Sequence, residues 1–362
     1  METPIENPYH PILPQYLEGM DPVFVEYYNK YHLHAPEVQE VPIRLYRTDP
    51  AYALMPAGRS KGPKVAHDRI KDIQVAVDGG KIFVRVYEPD TISGLRPCYI
   101  NLHGGGWTVG GGREIDAPFC RLVTAELGCV AFDVDYRLAP EFPYPVPLDD
   151  CWSAINYILD HASEYSIDTT RVAVGGCSAG GHLSAVTSIL ARDQGTPFVF
   201  QLLGCPCIDA TATDQSGEVK VADDCPYESW RTNAEAPCLP LTSMVWYHNN
   251  FLGVPRPQGY KNVGSSGWLV IARADHYQDW KLSPIKALSL KGLPPALVVT
   301  AEFDVLRDEG EAYAERLKSE GVEVTCVRMK GVPHPFPLFD AVIDAGKEYN
   351  RIAVDALRKA FQ

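Results

Sequence analysis

Ser178 stands in the segment Gly175-Gly176-Cys177-Ser178-Ala179-Gly180-Gly181, between an apolar run and a helical pattern. The run at 171–174 predicts a buried strand, and residues 183–190 predict a helix. Glycines two residues either side of a serine permit a strained strand-to-helix turn that exposes its hydroxyl. The pattern indicates a nucleophile, although G-x-S-x-G also fits a serine in an ordinary loop. The interpretation of Ser178 as a nucleophile therefore depends on finding the histidine and the acid that would activate it.

A serine nucleophile needs a histidine base, which we expect after Ser178 in the chain. His182 lies one turn along the same predicted helix and cannot easily reach back to the hydroxyl, which leaves His248, His276 and His334. His334 follows the last predicted strand, residues 322–329, and prolines flank it on both sides. We therefore predict His334 as the base.

The acid that orients the histidine should follow the preceding strand, residues 296–300. Asp304 lies nearest the apex of the loop after that strand and is our predicted acid. Glu302 and Asp308 are the alternatives.

A glycine run follows the predicted strand at 98–102, in the sequence His103-Gly104-Gly105-Gly106-Trp107. Residues without side chains let backbone N–H groups approach a substrate oxygen, as an oxyanion hole requires. The alternative, a phosphate loop over residues 104–112, lacks both the Lys-Ser/Thr ending of a P-loop and the spacing of a dinucleotide fingerprint. We therefore expect this run to stabilise an oxyanion.

The elements that position these residues follow an alternating pattern. Residues 73–77 and 81–87, joined by Asp78-Gly79-Gly80, predict a hairpin. Continuous apolar runs after it predict further strands, at 98–102, 129–134, 171–174, 198–203, 296–300 and 322–329. Helical patterns lie between or after them, at 114–127, 148–165, 183–190, 308–320 and 338–361. We expect a doubly wound, mostly parallel α/β sheet that opens with the hairpin.

Two stretches depart from this alternation, residues 1–65 and 206–284. Both contain aromatic, proline-broken segments, and the second includes one amphipathic piece at 241–252. They are either surface elaborations or a lid over the strand ends, where open α/β sheets bind ligands. Their aromatic residues favour the lid.

Charge and composition restrict the classes of molecule that the protein could bind. A net charge of −13 and the absence of a Lys/Arg run argue against nucleic acid or an anionic membrane surface. The amino terminus has no signal-peptide pattern, and no apolar run reaches membrane-spanning length. We therefore expect a cytoplasmic protein that acts on a small molecule.

The ten cysteines are expected to serve packing. Cys205-Pro206-Cys207 resembles half a metal site, but Cys225 and Cys238 are too scattered to complete one. We predict no metal.

Four ordered motifs resemble those of the hormone-sensitive-lipase-like family of α/β-hydrolases: 103–107, 136–141 (Tyr-Arg-Leu-Ala-Pro-Glu), the Ser178 turn and the segment from Asp304 to Gly310. The resemblance runs from about residue 70 to the carboxyl terminus. It implies a Ser178–Asp304–His334 triad, and an oxyanion hole formed by the amides of Gly105, Gly106 and Ala179. His103 is usually structural in this family.

The resemblance also implies a domain arrangement. Residues 66–205 and 285–362 would form the hydrolase core, and residues 1–65 and 206–284 a helical cap that shapes the pocket.

The chain departs from the family pattern near its motifs. Cys177 stands where members often have Asp before the nucleophile, and Val305 stands where Pro often follows the acid. Neither change removes a catalytic group. The His334-Pro335-Phe336 ending is similar to some fungal members, which suggests secondary metabolism.

The sequence thus predicts a serine carboxylesterase for a small or medium ester, without a cofactor. One alternative is a biosynthetic enzyme of this fold that performs elimination, cyclisation or acyl transfer. Another is a ligand-binding receptor like the gibberellin receptors, which the family also resembles. An intact triad argues against the receptor, and a homodimer is left open.

Overall fold

The apolar runs pair into one eight-stranded sheet in the computed structural model, which describes residues 8–49, 52, 58–90, 94–111, 115–196, 198–214, 218–253 and 279–362. In chain order, β1 to β8 are Ile70–Val77, Gly80–Tyr87, Arg96–Leu102, Val130–Asp135, Ile167–Cys177, Phe200–Gly204, Ala296–Phe303 and Val324–Pro333. The spatial order is β1-β2-β4-β3-β5-β6-β7-β8. β1 and β2 form the predicted hairpin, β2 pairs antiparallel with β4, and the remaining neighbours are parallel. The predicted doubly wound, mostly parallel sheet is confirmed.

Helices cover both faces of the sheet. In chain order, α1 to α10 are Pro14–Leu17, Pro22–Tyr31, Ile43–Thr48, Ala117–Leu127, Val146–Asp160, Ala179–Asp193, Ser229–Thr232, Leu241–Leu252, Arg307–Ser319 and Asp344–Ala360. In the part of the chain that the structure describes, no helix combines the length and apolarity needed to cross a membrane.

Successive residues of the central strands point to opposite faces, which explains the continuous apolar runs. In β3, Ile100 and Leu102 pack with the cluster that includes α5 and α6, whereas Tyr99 packs with the cluster that includes α4 and α10. A strand buried on both faces has no polar side, so its sequence does not alternate. The two layers hold the carboxyl ends of β3 and β5 to β8 at one edge.

Most element ends differ from the sequence prediction by a few residues, and two of the differences lie next to His334. The last strand extends to Pro333, four residues beyond the predicted end, because Phe303 pairs with Pro333 after a register shift in β7. The closing helix begins at Asp344 rather than at residue 338. A short 3₁₀ turn over Phe336–Phe339 precedes it, and Asp340 accepts hydrogen bonds from the Ser60 amide and Asn350.

The described residues of 1–65 and 206–284 contribute no strand to the sheet. α2 begins at a Pro whose preceding Asp21 accepts from the amides of Val23 and Phe24. Its Phe24, Tyr27 and Tyr28 are buried on one face. The predicted amphipathic segment at 241–252 is α8. His276, one of the alternative bases, lies outside the described residues. The predicted start of the helix at 114–127 does so too.

All ten cysteines are free thiols. Seven are buried, and Cys177, Cys238 and Cys326 are partly exposed. These positions agree with the expectation that the cysteines pack as small apolar side chains.

Candidate active site

Ser178 occupies the sharp turn between β5 and α6, with φ 61° and ψ −121°. Its amide donates to the Gly204 carbonyl at 2.7 Å, and its carbonyl accepts from the His182 amide at 3.1 Å. Positive φ is costly for a residue with a side chain, so the surrounding structure must hold this conformation. The turn leaves the serine half-buried at the sheet edge.

Two glycines allow the turn to lie against β3. A Cβ atom added at Gly176 would lie 2.1 Å from the carbonyl oxygen of Leu102, and one added at Gly180 would lie 1.9 Å from the same oxygen. Both separations are below any real contact. These contacts account for the glycines two residues either side of Ser178.

His334 and Asp304 follow β8 and β7, and both side chains are buried. Nδ1 of His334 lies 2.8 Å from Oδ2 of Asp304, while Oδ1 accepts from the Leu306 amide at 2.9 Å. A carboxylate only accepts, so Nδ1 carries the proton and Nε2 remains free to accept one. Asn233 donates to the Asp304 carbonyl at 2.9 Å and holds the loop.

The alternative acids make other contacts. Glu302 accepts from the Gly331 amide at 2.8 Å and from Lys330 at 3.1 Å. Asp308 accepts from the Ser229 amide at 2.7 Å and from Arg307. Asp304 is thus the candidate acid whose carboxylate contacts His334.

His248, an alternative base, is held in a separate network. Nδ1 lies 3.0 Å from Thr213 Oγ1, and Nε2 lies 3.5 Å from Cys207 Sγ. Burial lowers its pKa to about 4, so it is neutral at pH 7.

A cavity of about 60 Å³ contains both Ser178 and His334 in its wall. Its other lining residues are Gly104, Gly105, Gly106, Ile115, Asp116, Cys177, Cys238, Leu239, Tyr247, Pro335 and Leu338. Ala179 begins α6 directly behind Ser178 and is buried. Predicted site residues from β3, β5 and β8 thus meet at one cavity.

The glycine loop after β3 turns through Gly105 at φ 108° and Gly106 at φ 56°. The Gly105 carbonyl accepts from the amides of Thr108 and Val109 at 3.0 and 2.8 Å, which closes the turn. A Cβ atom at Gly106 would lie 2.1 Å from the Tyr247 ring. The loop therefore depends on glycine for its conformation and for its approach to α8.

His103 supports this loop from beneath. Its ring stacks on Tyr136 at 4.1 Å with 4° between the planes, and Nδ1 donates to the Gly104 carbonyl at 2.7 Å. Tyr136 donates to the His103 carbonyl at 2.8 Å. Burial lowers the pKa of His103. These contacts link the motif at 103–107 to the one at 136–141.

Trp107 is held by a histidine that sequence reasoning had set aside. The Trp107 indole N–H donates to Nδ1 of His182 at 3.2 Å, and Nε2 of His182 donates to the Lys281 carbonyl at 2.8 Å. Trp107 also stacks on Phe251 at 4.2 Å. His182 must be neutral for this arrangement, and burial lowers its pKa to about 4.

Arg47, on α3, was also missed by the sequence analysis. It donates to the Thr108 carbonyl at 2.9 Å, to the Ala139 carbonyl and to both carboxylate oxygens of Glu141. One guanidinium group thus joins the glycine loop to the 136–141 motif. No local pattern around Arg47 could have identified it.

Several lining residues were likewise unforeseen: Ile115, Asp116, Cys238, Leu239 and Leu338. Tyr247, by contrast, is one of the aromatic residues of the 206–284 stretch that favoured a lid. The others belong to ordinary apolar or acidic patterns.

The sheet order, the serine at the turn after β5 and the Asp–His pair after β7 and β8 define an α/β-hydrolase. The α/β-hydrolase-fold family model matches residues 99–338. The chain belongs to this family, and the resemblance to its hormone-sensitive-lipase-like members is confirmed.

The chain is similar to known proteins over most of its own length and of theirs. The chain is 33% identical to an AB hydrolase superfamily protein of Schizosaccharomyces pombe over 95% of both chains. It is 35% identical to the carboxylesterase NlhH of Mycobacterium tuberculosis, over 90% of this chain and 89% of that one. Its structure is similar to that of the carboxylesterase EstE1 from a metagenomic library, with a TM-score of 0.70, 35% identity and coverage of 84% and 92%.

Proposed function

We propose that this carboxylic ester hydrolase cleaves a small or medium ester through an acyl-enzyme formed on Ser178. His334 Nε2 takes the serine proton as the hydroxyl attacks the ester carbonyl, and then returns it to the leaving alcohol. Water next attacks the acyl-enzyme with His334 again as base, which releases the acid and restores Ser178.

Asp304 has two tasks in this mechanism. It holds His334 in the tautomer that leaves Nε2 free, and its negative charge stabilises the imidazolium that forms in each step. The amides of Gly105, Gly106 and Ala179 would donate to the oxyanion of the tetrahedral intermediate. Glycine at the first two positions leaves their amides unobstructed by side chains.

One observation carries the proposal: the buried 2.8 Å contact between His334 and Asp304, beside a cavity that His334 shares with the strained Ser178. The names of the relatives support ester hydrolysis over elimination, cyclisation, acyl transfer or a receptor role. A place in secondary metabolism, a cytoplasmic location and a homodimer stay predictions.

The volume of the cavity supports a small acyl group. About 60 Å³ corresponds to roughly four to six water-sized spheres. We propose that the described parts of 1–65 and 206–284 act as the cap, because Cys238, Leu239 and Tyr247 line the cavity and Ser243 of α8 donates to Gln39 at 2.7 Å.

The test is a rate series on p-nitrophenyl acetate, butyrate and octanoate with wild type and Ser178→Ala. Ser319→Ala, at an exposed position on α9, is the control. We expect turnover in wild type and control, and loss of turnover in Ser178→Ala. In a separate measurement, a phosphonate inhibitor should label Ser178 of the wild type, as peptide mass mapping would detect. Full activity in Ser178→Ala would exclude the mechanism. A wild type inert on every ester would favour the non-hydrolytic alternative.

A further inference from the structure

Two thiols meet at the strand ends beside the nucleophile. Cys177, the last residue of β5, pairs with Gly204 of β6, which places Cys205 next to it. Both cysteines pack in the same cluster on this side of the sheet, and Cys177 is the first of the neighbours that raise the pKa of the Cys205 thiol. Cys177 is partly exposed and lines the cavity with Ser178, whereas Cys205 is buried.

Cys205 also lies near the acid–base pair. Its Sγ, a carboxylate oxygen of Asp304 and a ring nitrogen of His334 all lie within 4.8 Å of one another. A metal ion in this group would compete with the hydrogen bond between His334 and Asp304. Cys177, in contrast, is partly exposed and lines the cavity, so a small solute can reach its thiol. Oxidation of the thiol pair therefore fits the arrangement better than metal binding.

We propose that Cys177 and Cys205 are an oxidisable dithiol, which hydrogen peroxide converts to a disulfide that stops ester hydrolysis. The loss of activity rests on the proposed function, whereas formation of the disulfide does not. The pair is a modification site distinct from the substrate chemistry of Ser178.

The reaction balances as a two-electron oxidation. The Cys177 thiolate attacks one peroxide oxygen, the O–O bond breaks, and the leaving hydroxide becomes water by taking a proton. The Cys205 thiolate then attacks the Cys177 sulfenic sulfur, so that an S–S bond forms, the S–O bond breaks and a second water leaves. Both thiols are oxidised and the peroxide is reduced.

The order of attack follows from the surroundings. The neighbouring Cys177 and burial raise the pKa of the Cys205 thiol well above its usual value. The partly exposed Cys177 is therefore the thiol that meets peroxide first. The His334 imidazole, within 4.8 Å of Cys205, can take the Cys205 proton in the second step.

The disulfide would disturb catalysis through both neighbours. An S–S bond of about 2.05 Å is shorter than any non-bonded contact between two sulfur atoms, so the two side chains must move together when it forms. Cys177 is bonded directly to Ser178, whose amide donates to the Gly204 carbonyl and whose turn is packed against Leu102 through Gly176 and Gly180. Cys205 lies within 4.8 Å of Asp304 and His334, so its movement would also disturb that pair. Displacement of one catalytic group is sufficient to slow the reaction.

The experiment compares wild type, Cys177→Ala and Cys205→Ala before and after hydrogen peroxide, each relative to its own reduced rate. We expect kcat of wild type to fall about a hundredfold, the order for a misplacement near 1 Å, and to recover in dithiothreitol. Both variants should keep their rates. Cys326→Ala, a partly exposed cysteine on β8, is the matched control and should respond like wild type.

Peptide mass mapping of the oxidised wild type should find the peptides of Cys177 and Cys205 joined with the loss of two hydrogen atoms. Reversible inactivation of Cys177→Ala, a bond from Cys177 to Cys238 instead, or a cross-linked protein with full activity would each overturn the proposal. Cys205→Ser preserves the volume if Cys205→Ala does not fold. If the reduced wild type hydrolyses no ester, the proposed function fails, and mapping still decides whether the disulfide forms.

Discussion

Nδ1 of His334 lies 2.8 Å from Oδ2 of Asp304, although thirty residues separate the two in the chain. The pairing of β7 with β8 brings them together, because parallel neighbours end at the same edge of a sheet. The register shift between Ala301 and Phe303 sets Phe303 opposite Pro333. Each residue then lies directly after a strand end.

We expect Asp304→Asn to lower kcat by about 10³ to 10⁴-fold, because an amide favours the wrong imidazole tautomer and cannot stabilise the imidazolium. Steady-state kinetics on p-nitrophenyl butyrate would measure the loss. Glu302→Gln, which changes a carboxylate bonded to Gly331 and Lys330, should stay within a few-fold of wild type. Equal losses in the two variants would argue against Asp304 as the acid.

The small cavity predicts a preference for short acyl chains that one substitution should relax. Leu338→Ala shortens a lining residue and should raise kcat/KM for octanoate relative to acetate by about tenfold. The measurement is the ratio of the two specificity constants. Leu288→Ala removes the same atoms from a leucine whose side chain is fully exposed, and should leave the ratio unchanged. An unaltered ratio in Leu338→Ala would place the acyl chain elsewhere.

His182 is predicted to act as a positioning residue for the glycine loop through Trp107. His182→Phe removes both the acceptor for the indole and the donor to Lys281, and kcat should fall about tenfold with little change in KM. The reason is that the proposed oxyanion donors of this loop would act mainly in the transition state. His182→Asn keeps an acceptor near the position of Nδ1 and should recover part of kcat. A fall in thermal stability with kcat intact would indicate a role in packing alone.

The raised pKa of Asp133 leads us to expect that the free energy of unfolding depends on pH. Burial and the nearby Asp116 raise its pKa to about 7, and its Oδ2 is buried without a hydrogen-bond partner in the described structure. The folded state holds this proton more tightly than the unfolded state does. Its contribution is therefore complete below the ordinary pKa near 4 and is lost as pH rises through about 7.

Asp133→Asn removes this dependence. Relative to wild type, its free energy of unfolding should increase by about 1 to 3 kcal/mol between about pH 5 and about pH 8. Urea denaturation at several pH values would measure the difference. Asp355→Asn, at a half-exposed carboxylate on α10, should show no comparable increase. A variant curve parallel to wild type would contradict the raised pKa.

Much of the fold was predictable from local patterns. Central strands buried on both faces give continuous apolar runs, and helices repeat their apolar residues every three to four positions. The predicted hairpin, the doubly wound order and α8 depend on such local patterns. The start of α10 was not predictable, because the turn at 336–339 and the contacts of Asp340 with Ser60 and Asn350 interrupt a continuous helical pattern.

The sequence by itself determined the family, the sheet and the order of Ser178, Asp304 and His334, since these follow from local periodicity, glycine spacing and motif order. Only the tertiary structure decided which side chains surround them. The packing of Cys177 near Cys205 follows from the pairing of β5 with β6, and the hydrogen bond from Trp107 to His182 follows from the packing of the glycine loop against α6. Such contacts join residues distant in the chain, and their local patterns resemble those of any buried residue.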